Sequence, residues 1–257
     1  MFQLLTKKLY ASLNLDRHIV GVKFLRSEKE FQAEEAMIPN KKMNYCLMVA
    51  SASKGHGIKA KKENFLCQSG PRVLGIDPTD LKNAKGENWA RLGLYSTPEI
   101  SKEVREQLSY SQEDIYGVMV KPLEQYNEIP DVVLIITIPY NVMRIVQGYA
   151  YHYGIPKNIN MIGNQALCLE CSARPYCSDD LNVSVLCIGT RHRTGWKNEE
   201  MAVGIPKSKF ENIVDGIYNT INSMESNSNK KRIESKLKEE GILDFEIRYD
   251  YNYYLDC

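Results

Sequence analysis

Three cysteines within one short stretch, Cys168-Leu-Glu-Cys171-Ser-Ala-Arg-Pro-Tyr-Cys177, are the residues here best suited to chemistry. Cys187 follows ten residues on. Glu170, Ser172, Arg174 and Pro175 make the stretch polar and loop-like, so packing is a poor account of three thiols so close together. Thiols that converge without oxidation are usually held by a metal. A Cys-X-X-Cys spacing lets two sulfurs face one ion or one cluster, as closely spaced cysteines do in bacterial ferredoxins. The spacing here matches neither the ferredoxin run nor a zinc ribbon. Metal binding is the reading of the stretch as a whole; burial in a core competes with it at any single position.

The other cysteines are Cys46, Cys67 and Cys257, which brings the total to seven, an odd number. The N-terminus lacks the pattern of a secretory signal. No apolar run approaches the length of a membrane span; the longest, Val132 to Ile138, is strand-sized and contains a Thr. The expected compartment is the cytosol, where structural disulfides are not expected. Cys46 lies among Leu47, Met48 and Val49, so core packing explains it as readily as ligation. Cys67 follows Phe65-Leu66 and precedes a turn, and it is equally open. Cys187 is expected at the end of a strand, where sites form on α/β sheets. Arg191, His192 and Arg193 come next and could hold an anionic substrate or offset thiolate charge, with a solvated basic loop as the plainer reading. His192 could complete a Cys3His zinc site. His18, His56 and His152 read as surface or capping residues. Lys23 could point inward or outward from its strand, and Glu63 would be a general base only if placed near the cysteines.

Length and charge narrow the field. The chain has 257 residues, with 33 Lys plus Arg against 32 Asp plus Glu, for a net charge of +1. That balance argues against a general nucleic-acid binder, which needs a basic excess for phosphates. There is no P-loop, no glycine-rich dinucleotide fingerprint, and no GxSxG, HExxH or EF-hand motif. The 16 tyrosines suggest a covered edge strand or a dimer contact rather than a stacking surface.

These side chains need elements to position them. Phe2 to Leu13 reads as an amphipathic helix and Ile19 to Leu25 as a strand. Ser27 and Glu30 have the spacing of a capping box. Met43 to Ser53 looks helical, and Ser69-Gly70-Pro71 suggests a turn into a helix. Residues 77–90 read as a surface loop. Thr97 caps a helix with Pro98 at its first position. Tyr116 to Lys121 is a strand, and Asp131 to Ile138 is apolar on both faces, as a central strand covered on both sides would be. Asn141 is expected to cap the next helix, which Gly154 ends. A cysteine-bearing loop after Gly163 leads to strands at Val183 to Ile188 and Met201 to Ile205. Ser208 and Glu211 suggest a further capping box, before a helix with Phe210, Ile213, Val214, Ile217 and Ile221 on one face. Residues 223–232 read as a polar hinge, followed by a short helix and an alternating edge strand over 244–251. The expectation is a mixed α/β fold: a central sheet with helices on both faces and long loops carrying a cysteine cluster. Residues 1–222 would form the domain and 223–257 a helix–strand appendage.

Several segments resemble a known family. They are VGVKFL near the start, NYCLMVASASKG around Cys46, ENFLCQSGPRVLG around Cys67, and VSVLCIGTR around Cys187. PDVVLIITIPYNVMRIVQGYAYHYG and EEMAVGIP add to the likeness. Together they resemble the ArCR family, domain-of-unknown-function family 169, over roughly Ile19 to Ile221. Its members are typically cytosolic prokaryotic proteins, often from anaerobes, and no reaction comes with the family name. The resemblance implies recurring cysteines at positions matched by Cys46, Cys67, Cys168 and Cys187, and hence one shared site. Such a set suits a [4Fe–4S] cluster, a [2Fe–2S] cluster or structural zinc. Cys171 and Cys177 depart from the pattern and stand as alternative ligands.

Three functions follow as expectations. The first is an iron–sulfur protein of redox or sulfur metabolism, most simply with a [4Fe–4S] cluster, taking a small-molecule substrate or a redox partner protein. The second is a zinc-stabilised binding or regulatory module without catalysis. The third is a metal-free thiol enzyme using Cys168, Cys171 or Cys177. Neither nucleic acid nor a membrane is an expected partner; a homodimer is possible. Whether the protein is an enzyme stays open at this stage.

Overall fold

A computed structural model describes residues 2–13, 15, 17–77, 87–108, 111, 114–242 and 244–249. Cys257, most of the loop expected over 77–90 and the end of the strand expected over 244–251 lie outside the described residues. The strands are β1 (Val20–Leu25), β2 (Ile58–Lys61), β3 (Gly117–Pro122), β4 (Val132–Thr137), β5 (Asn182–Ser184) and β6 (Met201–Pro206). The helices are α1 (Phe2–Ser12), α2 (Glu28–Ala33), α3 (Tyr45–Ala52), α4 (Ser69–Val73), α5 (Glu87–Arg91), α6 (Pro98–Glu106), α7 (Pro139–Tyr153), α8 (Arg174–Ser178), α9 (Ile188–Thr194), α10 (Lys207–Asn219), α11 (Ile221–Met224) and α12 (Asn227–Glu239). A π-helix, Ala166–Ala173, joins directly onto α8.

The strands form one sheet in the order β2-β3-β1-β4-β6-β5, with every neighbouring pair antiparallel. All of β4 is buried, as its unbroken apolar run demands of a strand covered on both faces. Alternation along the strands then divides the core in two. On one face Val20, Val22, Phe24, Val120 and Leu134 pack beneath α3, α4 and the π-helix. On the other Val133, Ile135, Val203 and Ile205 pack beneath α1, α7 and α10. Helices cover both faces, as expected, and the cysteines gather on the first.

Two close approaches shape these layers. Helices α7 and α10 meet at Gly148 and Gly216, where a Cβ on Gly216 would overlap the Gly148 carbonyl. Gly204 in β6 lets the π-helix descend onto the sheet, because a Cβ there would overlap the carbonyl oxygen of Cys171. The C-terminal helices are tied to α7 by a buried ion pair: Arg144 Nε lies 2.7 Å from Glu225 Oε1, with both side chains sealed from solvent. Arg144 also donates to the Ile217 carbonyl at 2.9 Å, and the Tyr140 hydroxyl donates to Glu225 at 2.7 Å. Among the described residues, no helix is long and apolar enough to cross a membrane.

Cys46 lies in α3, within the segment expected to be helical, and Cys187 is the residue that caps α9. The cysteine-bearing loop expected after Gly163 is not a loop: Cys168 and Cys171 lie in the π-helix and Cys177 in α8. That part of the expected architecture is corrected, and the physical reason is burial. Polar residues of the stretch are paired inside the protein rather than solvated: Ser172 is fully buried and donates to Leu167 O at 2.7 Å. Other boundaries shift as well. Asn141 is inside α7, where it bonds Thr137 Oγ1 at 2.7 Å, and Ile138 takes the capping position. Ser208 lies within α10 and bonds Asp179 instead of capping. The strand expected over 183–188 stops at Ser184 because Leu186 has φ +65°. Residues 244–249 form no strand, and much of the hinge expected over 223–232 is helical.

A candidate thiol pocket

Cys46, Cys67, Cys168 and Cys187 all line one cavity of about 220 Å³ above the first face of the sheet. Four elements deliver them. Helix α3 presents Cys46; the turn before α4 presents Cys67. Gly70, at the start of α4, keeps that turn tight, since a Cβ there would stand 3.2 Å from Cys67 Sγ. The π-helix presents Cys168. It begins after Gln165, a non-glycine residue at φ +54°. π-Helical turns interrupt regular packing and recur at functional sites.

The π-helix is anchored by a buried carboxyl. Glu170 Oε1 accepts the backbone N–H of Ile162 at 2.7 Å and of Gly163 at 3.2 Å, while Oε2 bonds the Ser184 hydroxyl. Burial raises the Glu170 carboxyl above its usual range, and these donors oppose the rise. From the other side, the Tyr45 hydroxyl reaches Ser172 Oγ at 2.9 Å. Because Ser172 spends its own proton on Leu167 O, Tyr45 is the donor in that pair. Burial pushes the Tyr45 phenol well above its ordinary value, so it stays protonated.

The thiols differ in their surroundings. Burial pushes the Cys46 thiol up to about 11, reinforced by Cys67 and Cys187 and opposed by Arg193. Burial also pushes Cys168 well above the usual thiol range, with the same neighbours adding to the rise. Its Sγ donates to the Gln165 carbonyl at 3.7 Å. Cys187 has a different setting. Its Sγ accepts the Thr190 backbone N–H at 3.4 Å and donates to the Thr190 hydroxyl at 3.0 Å.

Polar groups on the pocket wall lack internal bonds, and Gln165 Oε1 is sealed from solvent without a partner among the described residues. Asn44 is only 3% exposed, yet its side-chain amide makes no hydrogen bond among the described residues. Arg193, an exposed residue, lines the same pocket and forms no ion pair or side-chain hydrogen bond among them. Among the described residues, no His, Asp or Glu is part of the lining.

The metal expectation is corrected here. Among the described residues, no three His, Cys, Asp or Glu side chains are grouped so that they could hold a metal ion. An ion needs its ligands to converge at bonding distance, and sharing a cavity wall does not achieve that. The correction removes the iron–sulfur assignment, its zinc alternative and the redox or regulatory roles built on them. The alternative ligands are placed elsewhere: Cys171 is fully buried within the π-helix, pushed far up by burial beside Glu170, and Cys177 is exposed on α8.

The remaining candidates scatter. Arg191 turns away to structural work, donating to Val185 O at 2.8 Å and Glu200 O at 2.9 Å, so only Arg193 of the basic pair faces the pocket. His192 and His56 are exposed. Lys23 pairs with Glu34 at 2.7 Å, and exposed Glu63 pairs with Lys61 at 2.8 Å. His18 pairs with Glu124, and His152 lies 2.7 Å from Asp215. Sequence reasoning missed Asn44 and Thr190. Thr190 had a usable signal, three residues after Cys187, the spacing at which a capping side chain meets a backbone N–H.

Fold and site together define an antiparallel α/β protein with a thiol-lined pocket on one sheet face. The chain belongs to the uncharacterised ArCR family, which it matches over residues 8–216. An uncharacterized protein of Methanocaldococcus jannaschii is 29% identical over 215 residues, spanning 82% of this chain and 91% of that relative. No solved structure gave a significant match.

Proposed function

We propose that this is a thiol-dependent protein that takes a small molecule into the pocket and bonds to it through Cys187 Sγ, without a metal. The observation that carries this reading is the Thr190 backbone N–H, aimed at Cys187 Sγ at 3.4 Å, in a pocket whose Cys46 and Cys168 thiols burial keeps protonated. A thiolate, not a thiol, is the nucleophile, so the thiol with a backbone donor aimed at its sulfur is the reactive one. The cavity, at about 220 Å³, is below the usual size of drug-sized ligand sites, which points to a compact ligand.

The test is limiting iodoacetamide, a neutral reagent, on the Cys177→Ser/Cys257→Ser protein at neutral pH, with sites mapped by mass spectrometry. Cys187 is expected to be alkylated faster than Cys46, Cys67 and Cys168. Slower labelling of Cys187 than of any of those three overturns the proposal.

A further inference from the structure

We infer that the pocket holds an oxyanion of the phosphate or sulfate class, seated between the N-terminal ends of α3 and the π-helix with the Asn44 amide as its side-chain donor. The inference rests on the reading that this pocket takes a compact molecule, and it names the chemistry of that molecule's charged part.

Two helices, each of 8 residues, begin on the pocket wall. Asn44, Tyr45 and Cys46 are the capping residue and the first two residues of α3. Gln165, Ala166 and Leu167 hold the same places in the π-helix, and all of these residues line the cavity. The backbone N–H groups that open a helix have no partner within it. Those of Tyr45, Cys46, Ala166 and Leu167 donate to no acceptor among the described residues. The capping side chains do not take them either: neither Asn44 nor Gln165 makes a cap hydrogen bond. Free N–H groups at the positive end of a helix dipole favour an anion, and here two such ends share one cavity.

Asn44 supplies an independent observation. At a capping position an asparagine ordinarily turns its side-chain oxygen onto the helix's own N–H groups. Here it forgoes that bond, although the residue is only 3% exposed. Its amide lies on the pocket wall without a partner among the described residues. A buried polar group left unpaired is unfavourable until something bonds it. An oxyanion accepts from the Asn44 amide nitrogen and also takes the place on the α3 N–H groups that a capping oxygen would fill. Its several oxygens can serve both helix ends, whereas a single carbonyl oxygen has two lone pairs for all of these donors. The neighbouring thiols do not oppose the charge, because burial keeps Cys46 and Cys168 protonated.

The experiment titrates inorganic phosphate and methyl phosphate into the Cys177→Ser/Cys257→Ser protein by calorimetry at neutral pH, with ionic strength held constant by chloride. Saturable binding is expected. Tighter binding of methyl phosphate would make the oxyanion a group on a larger molecule, and tighter binding of inorganic phosphate would make it a free ion; either supports the site. Asn44→Ala removes one charge-assisted hydrogen bond and is expected to weaken binding about tenfold. Asn44→Asp keeps a good capping residue but sets a carboxylate against the same N–H groups. It is expected to weaken binding further while leaving the urea midpoint unchanged or raised, which a merely structural Asn44 would not explain. No saturable binding of either anion up to about 10 mM, well above a millimolar Kd, overturns the inference. Binding that either folded Asn44 variant leaves unchanged overturns it too. The two readings fail separately. A failed titration with Cys187 still favoured by iodoacetamide removes only the oxyanion, and phosphate binding with Cys187 not favoured removes only the reactive thiol.

Discussion

Thr190 and Cys187 are joined twice: the Thr190 backbone N–H donates to Cys187 Sγ at 3.4 Å, and the thiol donates to the Thr190 hydroxyl at 3.0 Å. The backbone contact survives Thr190→Val, but the hydroxyl contact does not. Thr190→Val keeps the shape and removes only that hydroxyl. That hydroxyl accepts the Cys187 thiol hydrogen, a contact worth about 0.5–1.5 kcal/mol. Thr190→Val is expected to lower the unfolding free energy in urea by about that amount. An unchanged urea midpoint would show that the contact contributes nothing to the site.

Glu170 gives a pH test of how the π-helix is held. Its carboxyl is 2% exposed and raised by burial, so its folded value lies above its unfolded one. The fold therefore disfavours the ionised form. Its contribution to stability is greatest below the usual carboxylate range and diminishes as pH rises through the raised value. Glu170→Gln keeps an acceptor for Ile162 and Gly163 and a donor for Ser184, and it cannot ionise. Urea midpoints are expected to show the parent gaining on Glu170→Gln as pH falls through the carboxylate range. Glu170→Ala leaves those groups unpaired and is expected to cost about 1–3 kcal/mol at neutral pH. Parallel pH curves for parent and Gln variant would show that the carboxyl is not penalised by burial.

Much of this architecture is legible in the residues, and the failures have physical causes. The apolar run at 132–137 announces a strand covered on both faces, and Pro98 after Thr97 announces a helix start; both form. The face of Phe210, Ile213, Val214 and Ile217 is buried as its spacing requires. The cysteine stretch misleads because Glu170, Ser172 and Arg174 look solvated. Their partners, Ile162, Ser184, Leu167 and Asn158, are set by tertiary packing and leave no local pattern. Strand β2, Ile58–Lys61, is too short to show alternation against its flanks, and its pairing with β3 is long-range. The pocket itself is half legible. Its cysteines stand out as a residue type, but how far apart their sulfurs lie depends on the path of the π-helix over Gly204, which no spacing encodes.

The ion pair of Arg144 and Glu225 predicts an asymmetry in mutation. Both side chains are sealed, and Glu225 also receives Tyr140 at 2.7 Å and Asn229 at 2.9 Å. Arg144→Met strands a buried carboxylate, and breaking a buried pair in this way costs about 3–5 kcal/mol. Arg144→Met/Glu225→Leu removes both charges and is expected to recover most of that loss. The check is urea unfolding of each variant. A double variant no more stable than Arg144→Met would mean that the pair's other hydrogen bonds, rather than the stranded charge, set the cost.

Cys46 predicts how the fold responds to alkali. Burial pushes its thiol up to about 11, with Cys67 and Cys187 reinforcing the rise and Arg193 opposing it. An exposed thiol in the unfolded chain ionises near about 8.5. Between those values the unfolded chain gives up its proton first, so the Cys46 contribution to stability is complete below the ordinary thiol range. It is lost as pH rises toward the folded value. Cys168 is raised by the same cause and contributes in the same direction. Cys46→Ala leaves a small void, so it is expected to lower stability at neutral pH and yet to soften the alkaline decline. Urea midpoints measured from about pH 7 to about pH 10, spanning the thiol range, would show the gap between parent and variant narrowing with pH. Cys46 should also resist alkylation at neutral pH and yield to it as pH approaches its folded value. A gap that stays constant across that range, or ready labelling of Cys46 at neutrality, would mean that its thiol is solvated, and the distinction drawn between Cys46 and Cys187 would fall with it.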